Sequence, residues 1–187
     1  MNVAVYCGAN FGKGERYRQA AKAMGHWIAE NGHTLVYGGS NTGLMGILAD
    51  TVLSAGGKAI GIIPEFLLEH EQPHQDLTEI FFVQDMSQRK KKMASLGEVF
   101  IALPGGPGTL EEITEVISWS RIGQNPYPCV LWNLDGYYEP LCAMYQKMTE
   151  EHFFGEDGVS DLLFTTDFQE LEQFMQSYHA PKFRTYT

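Results

Sequence analysis

The chain has 187 residues, 44% of them hydrophobic and 19% charged, which is typical of a globular protein with a full core. Its 13 Lys and Arg against 23 Asp and Glu give a formal net charge of -10 at pH 7. A surface this acidic repels nucleic-acid backbones and anionic membranes, so we expect neither as a partner.

Short β-branched runs alternate with longer amphipathic runs along the chain. The short runs predict strands at 3–8, 34–40, 58–64, 79–85, 98–106, 128–136 and, with a weaker pattern, 162–166. The amphipathic runs predict helices at 14–32, 42–57, from Ser87, up to about Gly123, 137–153 and 167–179. Residues 65–78 form the longest irregular stretch, and such a stretch inside a compact domain is often functional.

This alternation, with near-continuous apolar strands, predicts a parallel sheet covered by helices on both faces. Right-handed crossovers make it an α/β, Rossmann-like, doubly wound fold with a mainly parallel sheet, in a single domain over 1–187. Ligands of such folds bind outside the C-terminal ends of the strands. Those ends carry the segments CGANFGKG, YGGSNTGLMG, IPEF, QDMSQRKKKM and LPGGPGTLEE.

The segment LPGGPGTLEE places Gly105, Gly106 and Gly108 between a strand and a helix. Glycines there let backbone N–H groups turn toward an anion, and the helix N-terminus adds partial positive charge. Thr109 can cap the helix or bind a phosphate oxygen. A simple tight turn could use the same residues, but the order of strand, loop and helix favours a phosphate site.

A second glycine loop, YGGSNTGLMG, contains Gly39 and Gly43. These glycines could contact a substrate or only allow close packing of a helix on a strand. The loop lacks the G-x-G-x-x-G spacing, and CGANFGKG has Cys7 and Gly14 where a Walker A loop has Gly and Ser or Thr. We therefore expect neither NAD nor ATP as a cofactor.

Charged residues flank the predicted phosphate loop. Arg89 can bind a phosphate or carboxylate through two hydrogen bonds, and Lys90 can add a point charge. Interaction with the helix dipole suffices to explain Glu111. Glu112 could instead act as a general base or stabilise a developing sugar cation.

The segment HEQPH, residues 70–74, matches the zinc-protease pattern H-E-x-x-H, which needs both histidines on one helical face. Pro73 removes an N–H and restricts Gln72, which argues against an uninterrupted helix. There is also no clear third ligand, so we expect no metal site.

The N-terminal segment, the length of the apolar runs and the cysteine pattern bear on where the protein is located. The N-terminal MNVAVYCG has no basic segment ahead of its apolar run, and no apolar run is long enough to span a bilayer. The three cysteines form no Cys-x-x-Cys pair, and their odd number argues against a disulfide framework. We expect a cytoplasmic protein.

The segments PGGPGTLEE and MSQRK, together with VYCGAN, LVYGGSNTGLMG and IGIIP, resemble the LONELY GUY (LOG) family of cytokinin-activating phosphoribohydrolases. The resemblance covers nearly the whole chain and implies a Rossmann-like fold and a homodimer with sites near the subunit interface. The implied reaction is hydrolysis of the N-glycosidic bond of an N6-substituted adenosine 5′-monophosphate, which yields free base and ribose 5-phosphate. This chemistry needs no metal or redox cofactor.

The resemblance also implies roles for individual residues. It maps the catalytic pair onto Arg89 and Glu112, and it suggests Glu71 as a contact near the base. It maps phosphate and ribose contacts onto Lys90, Gly106, Pro107, Gly108, Thr109, Leu110, Glu111 and Glu112, and it places Ser118 where the family often has Thr. Two residues depart from the family pattern, Ser87 in place of a His and Pro107 at a loop position that is often aromatic, and they leave the substrate preference open.

Three other functions remain as alternatives at this point. The protein could be a plain AMP nucleosidase, or a sensor or carrier that binds a nucleotide without turnover. Amino-acid decarboxylation needs a lysine bound to pyridoxal phosphate, and the sequence offers no distinctive context for one.

Overall fold

A seven-stranded sheet forms the centre of the structure, a computed structural model that describes residues 1–155 and 158–183. The strands of this described part are β1 (Asn2–Tyr6), β2 (Thr34–Tyr37), β3 (Lys58–Pro64), β4 (Glu79–Val83), β5 (Val99–Ala102), β6 (Cys129–Trp132) and β7 (Leu162–Thr165). The α-helices are α1 (Glu15–Glu30), α2 (Gly43–Ser54), α3 (Met86–Leu96), α4 (Pro107–Ser120), α5 (Glu139–Glu150) and α6 (Phe168–Ser177).

The strands pair in the order β4-β3-β2-β1-β5-β6-β7, and each pair is parallel. β1 lies at the centre, where Val3 is opposite Leu35 of β2 and Val99 of β5. The inner strands are buried almost along their whole length, as strands covered on both faces must be. The predicted α/β doubly wound fold is confirmed, and the sheet is wholly parallel over the described strands.

Two helical layers cover the sheet. Helices α1, α2 and α6 bury their apolar faces on one side, where Trp27 of α1 stacks on Phe168 of α6 with 5.7 Å between ring centroids. Helices α3, α4 and α5 cover the other side through residues such as Met93, Ile117 and Tyr145. Each large apolar side chain buried in this way contributes roughly 1.5–3 kcal/mol to folding.

The predicted strands 34–40, 98–106 and 128–136 all extend too far at their C-terminal ends. β2 ends at Tyr37, just before Gly39 takes up a φ of 78°. β5 ends at Ala102, shortly before Pro104, which lacks the N–H that a strand ladder requires. The residues that were predicted as strand but lie beyond the observed strand ends form the loops at the C-terminal edge of the sheet.

The irregular stretch 65–78 connects β3 to β4 without an α-helix. It begins with a 3₁₀ helix over Glu65–Glu69 and then runs beside the loop after β2. There Ser40 and Pro73 form an antiparallel bridge, and the Asn41 N–H donates to the Gln72 carbonyl at 3.1 Å. The prediction that HEQPH is not an uninterrupted helix is confirmed.

A crevice opens where the direction of winding changes. Helix α1 leaves β1 toward one face of the sheet and α4 leaves β5 toward the other, so the loops after these neighbouring strands diverge. Within the described residues, no helix has the length and apolar character needed to cross a membrane.

Candidate active site

A cavity of about 490 Å³ lies in this crevice between the ends of β1 and β5. Its walls come from the loop after β1 and the starts of α2, α3 and α4, with one residue from the irregular stretch 65–78. The sequence-predicted site residues that line it are Glu71, Arg89, Gly105, Gly106, Gly108, Thr109 and Glu112.

The N-terminus of α4 faces the cavity with its backbone groups open. Gly106 is the N-cap residue and makes no side-chain cap, and Pro107 at the first helical position has no N–H to offer. A Cβ on Gly105 would collide with the Thr109 side chain and lie 2.9 Å from the Gly8 nitrogen, so only glycine fits there. The uncapped N–H groups of this helix turn form a site suited to a phosphate.

Arg89 and Glu112 face each other at the cavity wall. Their Nη2 and Oε1 atoms lie 3.8 Å apart, close enough for charge attraction but too far for a hydrogen bond. The two side chains are only 10% and 8% exposed. Arg89 Nε and Glu112 Oε1 have no hydrogen-bond partner among residues 1–155 and 158–183. Both atoms are shielded from solvent, so each side chain keeps one unused hydrogen-bonding position inside the site.

Local structure explains why both side chains point inward. Asp85 caps α3 by accepting a hydrogen bond from the Gln88 N–H at 2.8 Å. Arg89 then lies in the first turn, on the same buried helix face as Met93. Glu112 lies on the face of α4 that packs on the sheet, one turn from its start and adjacent to Ile113. Each charged side chain thus lies near the cavity end of a buried helix face that is otherwise mostly apolar.

Gly38 makes room for the arginine, although the sequence analysis did not single it out. A Cβ at Gly38 would collide with Arg89 Nη2 and lie 2.8 Å from Met45 Sδ. The guanidinium therefore packs directly on the backbone of the loop after β2. The predicted glycines of this loop are buried: Gly39 approaches Gly61 of β3, and Gly43 approaches the Ala9 carbonyl in the loop after β1.

Burial raises the pKa of Glu112 to about 6, and the neighbouring Arg89 charge opposes that rise. At neutral pH the carboxyl group is therefore mostly ionised. An ionised carboxylate with a free acceptor atom can stabilise a developing positive charge or orient a water molecule.

Lys90 does not line the cavity. Its ammonium group donates to Glu111 at 2.7 Å and lies 3.2 Å from a carboxylate oxygen of Glu115, which joins α3 to α4. The hydrogen bond to Glu111 is the largest cause of the raised pKa of Lys90.

The other predicted contacts on α4 also lie away from the cavity. Their side chains are on the exposed face of the helix, and Leu110 is 42% exposed. These residues are Pro107, Leu110, Glu111 and Ser118. They and Lys90 are the residues implied by the resemblance that the structure does not bring to the cavity.

Several cavity residues went unpredicted. Lys13 adds a second cation to the wall, and Tyr17 and Tyr137 meet edge to face with 6.2 Å between ring centroids. The Tyr137 hydroxyl donates to the Gly105 carbonyl at 2.6 Å and so fastens the glycine loop. Lys13 could have been predicted, because its segment CGANFGKG follows β1 at the edge of the sheet where ligands bind. Tyr137 follows β6, and no sequence pattern near it indicates a role in the cavity.

In the segment HEQPH, Glu71 is the residue that reaches the cavity. His70 is exposed, and buried His74 bonds instead to Asp50 of α2 at 2.9 Å. Across the described ranges, no group of three or more His, Cys, Asp or Glu residues could hold a metal ion.

Comparison with known families gives one match over most of the chain. Residues 45–175 match a family model described as "Possible lysine decarboxylase". This range begins in α2 and ends in α6, and it includes Arg89, Glu112 and the glycine loop of α4.

Curated relatives match at higher coverage. A cytokinin riboside 5′-monophosphate phosphoribohydrolase from Rhodococcoides fascians is 49% identical over 153 residues, 81% of this chain and 77% of its own length. The probable cytokinin riboside 5′-monophosphate phosphoribohydrolase LOGL1 of Oryza sativa subsp. japonica is 40% identical over 94% of this chain and 79% of its own. LOG3 of Arabidopsis thaliana, which carries the same enzyme name, is 39% identical over 94% of this chain and 82% of its own.

Solved structures share the fold at much lower identity. The molybdenum cofactor carrier protein MCP from Chlamydomonas reinhardtii aligns with a TM-score of 0.72 at 19% identity, covering 94% of this chain and 98% of its own. A molybdenum cofactor binding protein from Rippkaea orientalis gives 0.66 at 19% identity, covering 94% and 97%. At this identity the likeness concerns the fold alone.

Proposed function

This chain belongs to the LONELY GUY (LOG) family, and we propose that it is a phosphoribohydrolase that cleaves the N-glycosidic bond of an adenosine 5′-monophosphate. The products are the free base and ribose 5-phosphate. The observation that carries the proposal is the buried Arg89–Glu112 pair, which lines a cavity beside an uncapped helix N-terminus and keeps two polar atoms without hydrogen-bond partners among the described residues.

The reaction requires that the enzyme stabilise a positive charge. As the C1′–N9 bond breaks, the ribose ring develops oxocarbenium character, and a fixed carboxylate lowers the energy of that state. Glu112 supplies this carboxylate and orients the water whose oxygen bonds to C1′. Arg89 holds the substrate and offsets charge on the departing base. Water is the only co-reactant, so the chemistry needs no redox cofactor, and none of these residue roles requires a metal.

The phosphate of the substrate binds at the start of α4. Gly106, Gly108 and Thr109 line the cavity there, and the helix dipole favours an anion. Cavity cations matter in a protein with a net charge of -10, because they attract an anionic substrate to an otherwise repelling surface. Glu71, on another part of the wall, contacts the substrate near its base.

We further propose a cytoplasmic homodimer with its sites near the subunit interface, as the family resemblance implies. The exposed face of α4 supports this assembly because it carries an exposed Leu110 beside the phosphate loop. In a dimer, Leu110, Glu111 and Ser118 could contribute to a site from this outer face. Nucleic acids and membranes have no role in the proposed function.

The departures from the family pattern concern substrate preference. Ser87 is exposed and Pro107 lies on the outer side of the first turn of α4, so neither side chain replaces a cavity residue. Both N6-substituted and unsubstituted adenosine monophosphates are therefore candidates, and the relatives' printed names favour the first.

Base release measured by chromatography tests the proposal. Purified protein is incubated with N6-isopentenyladenosine monophosphate and, separately, with AMP, and each reaction is repeated with Glu112→Gln and Arg89→Ala. We expect wild type to release free base and each variant to lose at least about 100-fold in kcat/KM. Lys91→Met is the matched control, because Lys91 lies exposed on the same helix as Arg89.

The outcomes separate the alternatives. Faster release from the N6-substituted nucleotide assigns the cytokinin-activating role, and faster release from AMP assigns a plain AMP nucleosidase. Saturable AMP binding without release of base from either nucleotide would contradict hydrolysis and favour a nucleotide sensor or carrier.

A further inference from the structure

Glu71 reaches the cavity from a segment that has no helix or strand of its own. Its Oε2 atom is buried and accepts no hydrogen bond from any residue in the described part of the chain. A buried carboxylate oxygen is costly unless a ligand or water donates to it. An irregular segment has many alternative conformations, so tertiary contacts are needed to hold Glu71 in this place. Two backbone bonds contribute directly, because the Glu71 N–H donates to the Leu67 carbonyl at 2.7 Å and the Asn41 N–H donates to the Gln72 carbonyl at 3.1 Å.

His74 adds a side-chain contact that ties the segment to a helix. Its side chain is only 7% exposed, and both ring nitrogens are engaged. Nε2 lies 2.9 Å from Asp50 Oδ1, and the Asp76 backbone N–H donates to Nδ1 at 3.2 Å. Because Nδ1 accepts a hydrogen bond, the proton resides on Nε2 and is donated to the Asp50 carboxylate. Asp50 lies on α2, which is packed against the core, so this bond ties the segment to a rigid element.

The same segment is joined to the loop that holds Arg89. The His74 N–H donates to the Gly39 carbonyl at 3.0 Å, and the neighbouring Gly38 packs directly against the Arg89 guanidinium. A single anchored segment therefore adjoins two cavity charges of opposite sign, Glu71 and Arg89.

We propose that His74 is a positioning residue of the nucleotide site. The Asp50–His74 hydrogen bond holds Glu71 in the cavity wall, where its carboxylate accepts a hydrogen bond from an N–H or O–H group of the substrate. The proposal rests on the proposed function for the identity of the ligand. Loss of the Asp50–His74 bond lowers nucleotide affinity more than the rate of the chemical step, because Arg89 and Glu112 remain in place.

A double-mutant cycle between Asp50→Ala and Glu71→Ala tests this. The Asp50 side chain is 71% exposed, so its truncation leaves no core cavity. KM and kcat are measured with the faster nucleotide, and the Kd of AMP is measured by calorimetry. We expect Asp50→Ala to raise KM and Kd about tenfold and to change kcat less than about threefold. In the Glu71→Ala background it should have no further effect, because the Asp50–His74 bond acts through Glu71.

Two further sets of variants separate positioning from general stability. His74→Ala should match Asp50→Ala, and His74→Gln, which keeps a donor near the Nε2 position, should restore most of the affinity. The matched control is Glu30→Ala, which removes a carboxylate 3.9 Å from the exposed His26 at the far end of α1. This control should leave KM, kcat and Kd unchanged.

Unchanged KM and Kd in Asp50→Ala, or additive effects of Asp50→Ala and Glu71→Ala, would overturn the proposal. If His74→Ala does not fold, the Asp50→Ala arm of the cycle decides. If wild type binds AMP but releases no base, the proposed function fails while the Kd cycle still decides the role of His74. Absence of AMP binding would overturn both.

Discussion

Glu112 is held in the site at a cost to stability. The carboxyl group is buried on an apolar helix face, and burial raises its pKa despite the nearby guanidinium. Arg89, likewise buried, keeps Nε without a partner in the described residues. A buried polar group that lacks a hydrogen-bond partner destabilises a folded core. The same group is useful in a binding site, because a substrate can supply the missing hydrogen bond.

We predict that Glu112→Gln stabilises the protein at neutral pH. The folded-state pKa of about 6 exceeds the ordinary value of 4.5, so stability from this group is present below pH 4.5 and lost as the pH rises through 6. Gln resembles the protonated form and avoids this loss, which amounts to about 2 kcal/mol at pH 7.5. Urea unfolding of both proteins between pH 5 and pH 7.5 measures the difference, which should shrink toward acid. A difference that does not change with pH would contradict the assignment of the raised pKa to Glu112.

At the scale of elements, two helix starts and one loop assemble the charged pair. The first turn of α3 and the second turn of α4 bring Arg89 and Glu112 within 3.8 Å, and the loop after β2 supports the guanidinium. Lys90, next to Arg89, joins the same two helices through Glu111 and Glu115. The geometry of the pair therefore depends on how three separate elements pack.

Gly38→Ala should impair activity with little loss of stability. The added methyl group would meet Arg89 Nη2 and Met45 Sδ, so the guanidinium must shift. A displacement of about 1 Å can cost roughly 100-fold in rate, and we expect a loss of this order in kcat/KM. Gly32→Ala is the matched control, and it should lower stability while leaving activity unchanged. Its φ of 66° makes alanine unfavourable, but nothing lies within 4 Å of the new Cβ. Steady-state kinetics and thermal unfolding check both, and equal activity of the two variants would contradict the packing argument.

The role of Lys90 can be decided with a matched neighbour. Lys90→Met removes two contacts to α4 and leaves a 29% exposed Glu115 carboxylate without its cation. We expect the free energy of unfolding to fall by about 1–2 kcal/mol and the inhibition constant of ribose 5-phosphate to change less than about threefold. Lys91→Met, at an exposed position, should alter neither. Loss of ribose 5-phosphate inhibition with unchanged stability would instead assign Lys90 to the phosphate.

At the scale of the whole molecule, the order of the strands creates the site. β1 and β5 are far apart in sequence but adjacent in the sheet, and the helices that follow them lie on opposite faces. The cavity forms where their loops part. The outer face of α4, beside the glycine loop that precedes this helix, remains exposed in a single chain.

The proposed homodimer predicts the effect of a charge on that face. Leu110→Arg should convert a dimer to a monomer in light scattering after size exclusion, because a buried unpaired charge at an interface is costly. Phe153→Arg is the control, since Phe153 follows α5 and is 86% exposed. A wild-type mass of one chain, or a dimer in both variants, would contradict an interface at Leu110.

The sequence by itself determined the elements, the fold class and the family. Hydrophobic periodicity is a local property, so the alternation of strands and helices could be predicted to within a few residues, and the doubly wound fold is confirmed. The motifs around Arg89 and Glu112 carry the family resemblance, which the family match and the curated relatives confirm. Strand ends were predicted less well because they depend on where pairing stops.

Only the tertiary structure decided which residues share the cavity. Gly38 beneath Arg89, Tyr137 on the Gly105 carbonyl and His74 on Asp50 are contacts between distant segments, with no periodic or spacing signal in the chain. The engagement of Lys90 with α4 is of the same kind. Such contacts follow from strand order and helix packing, which bring side chains together whatever their separation in sequence.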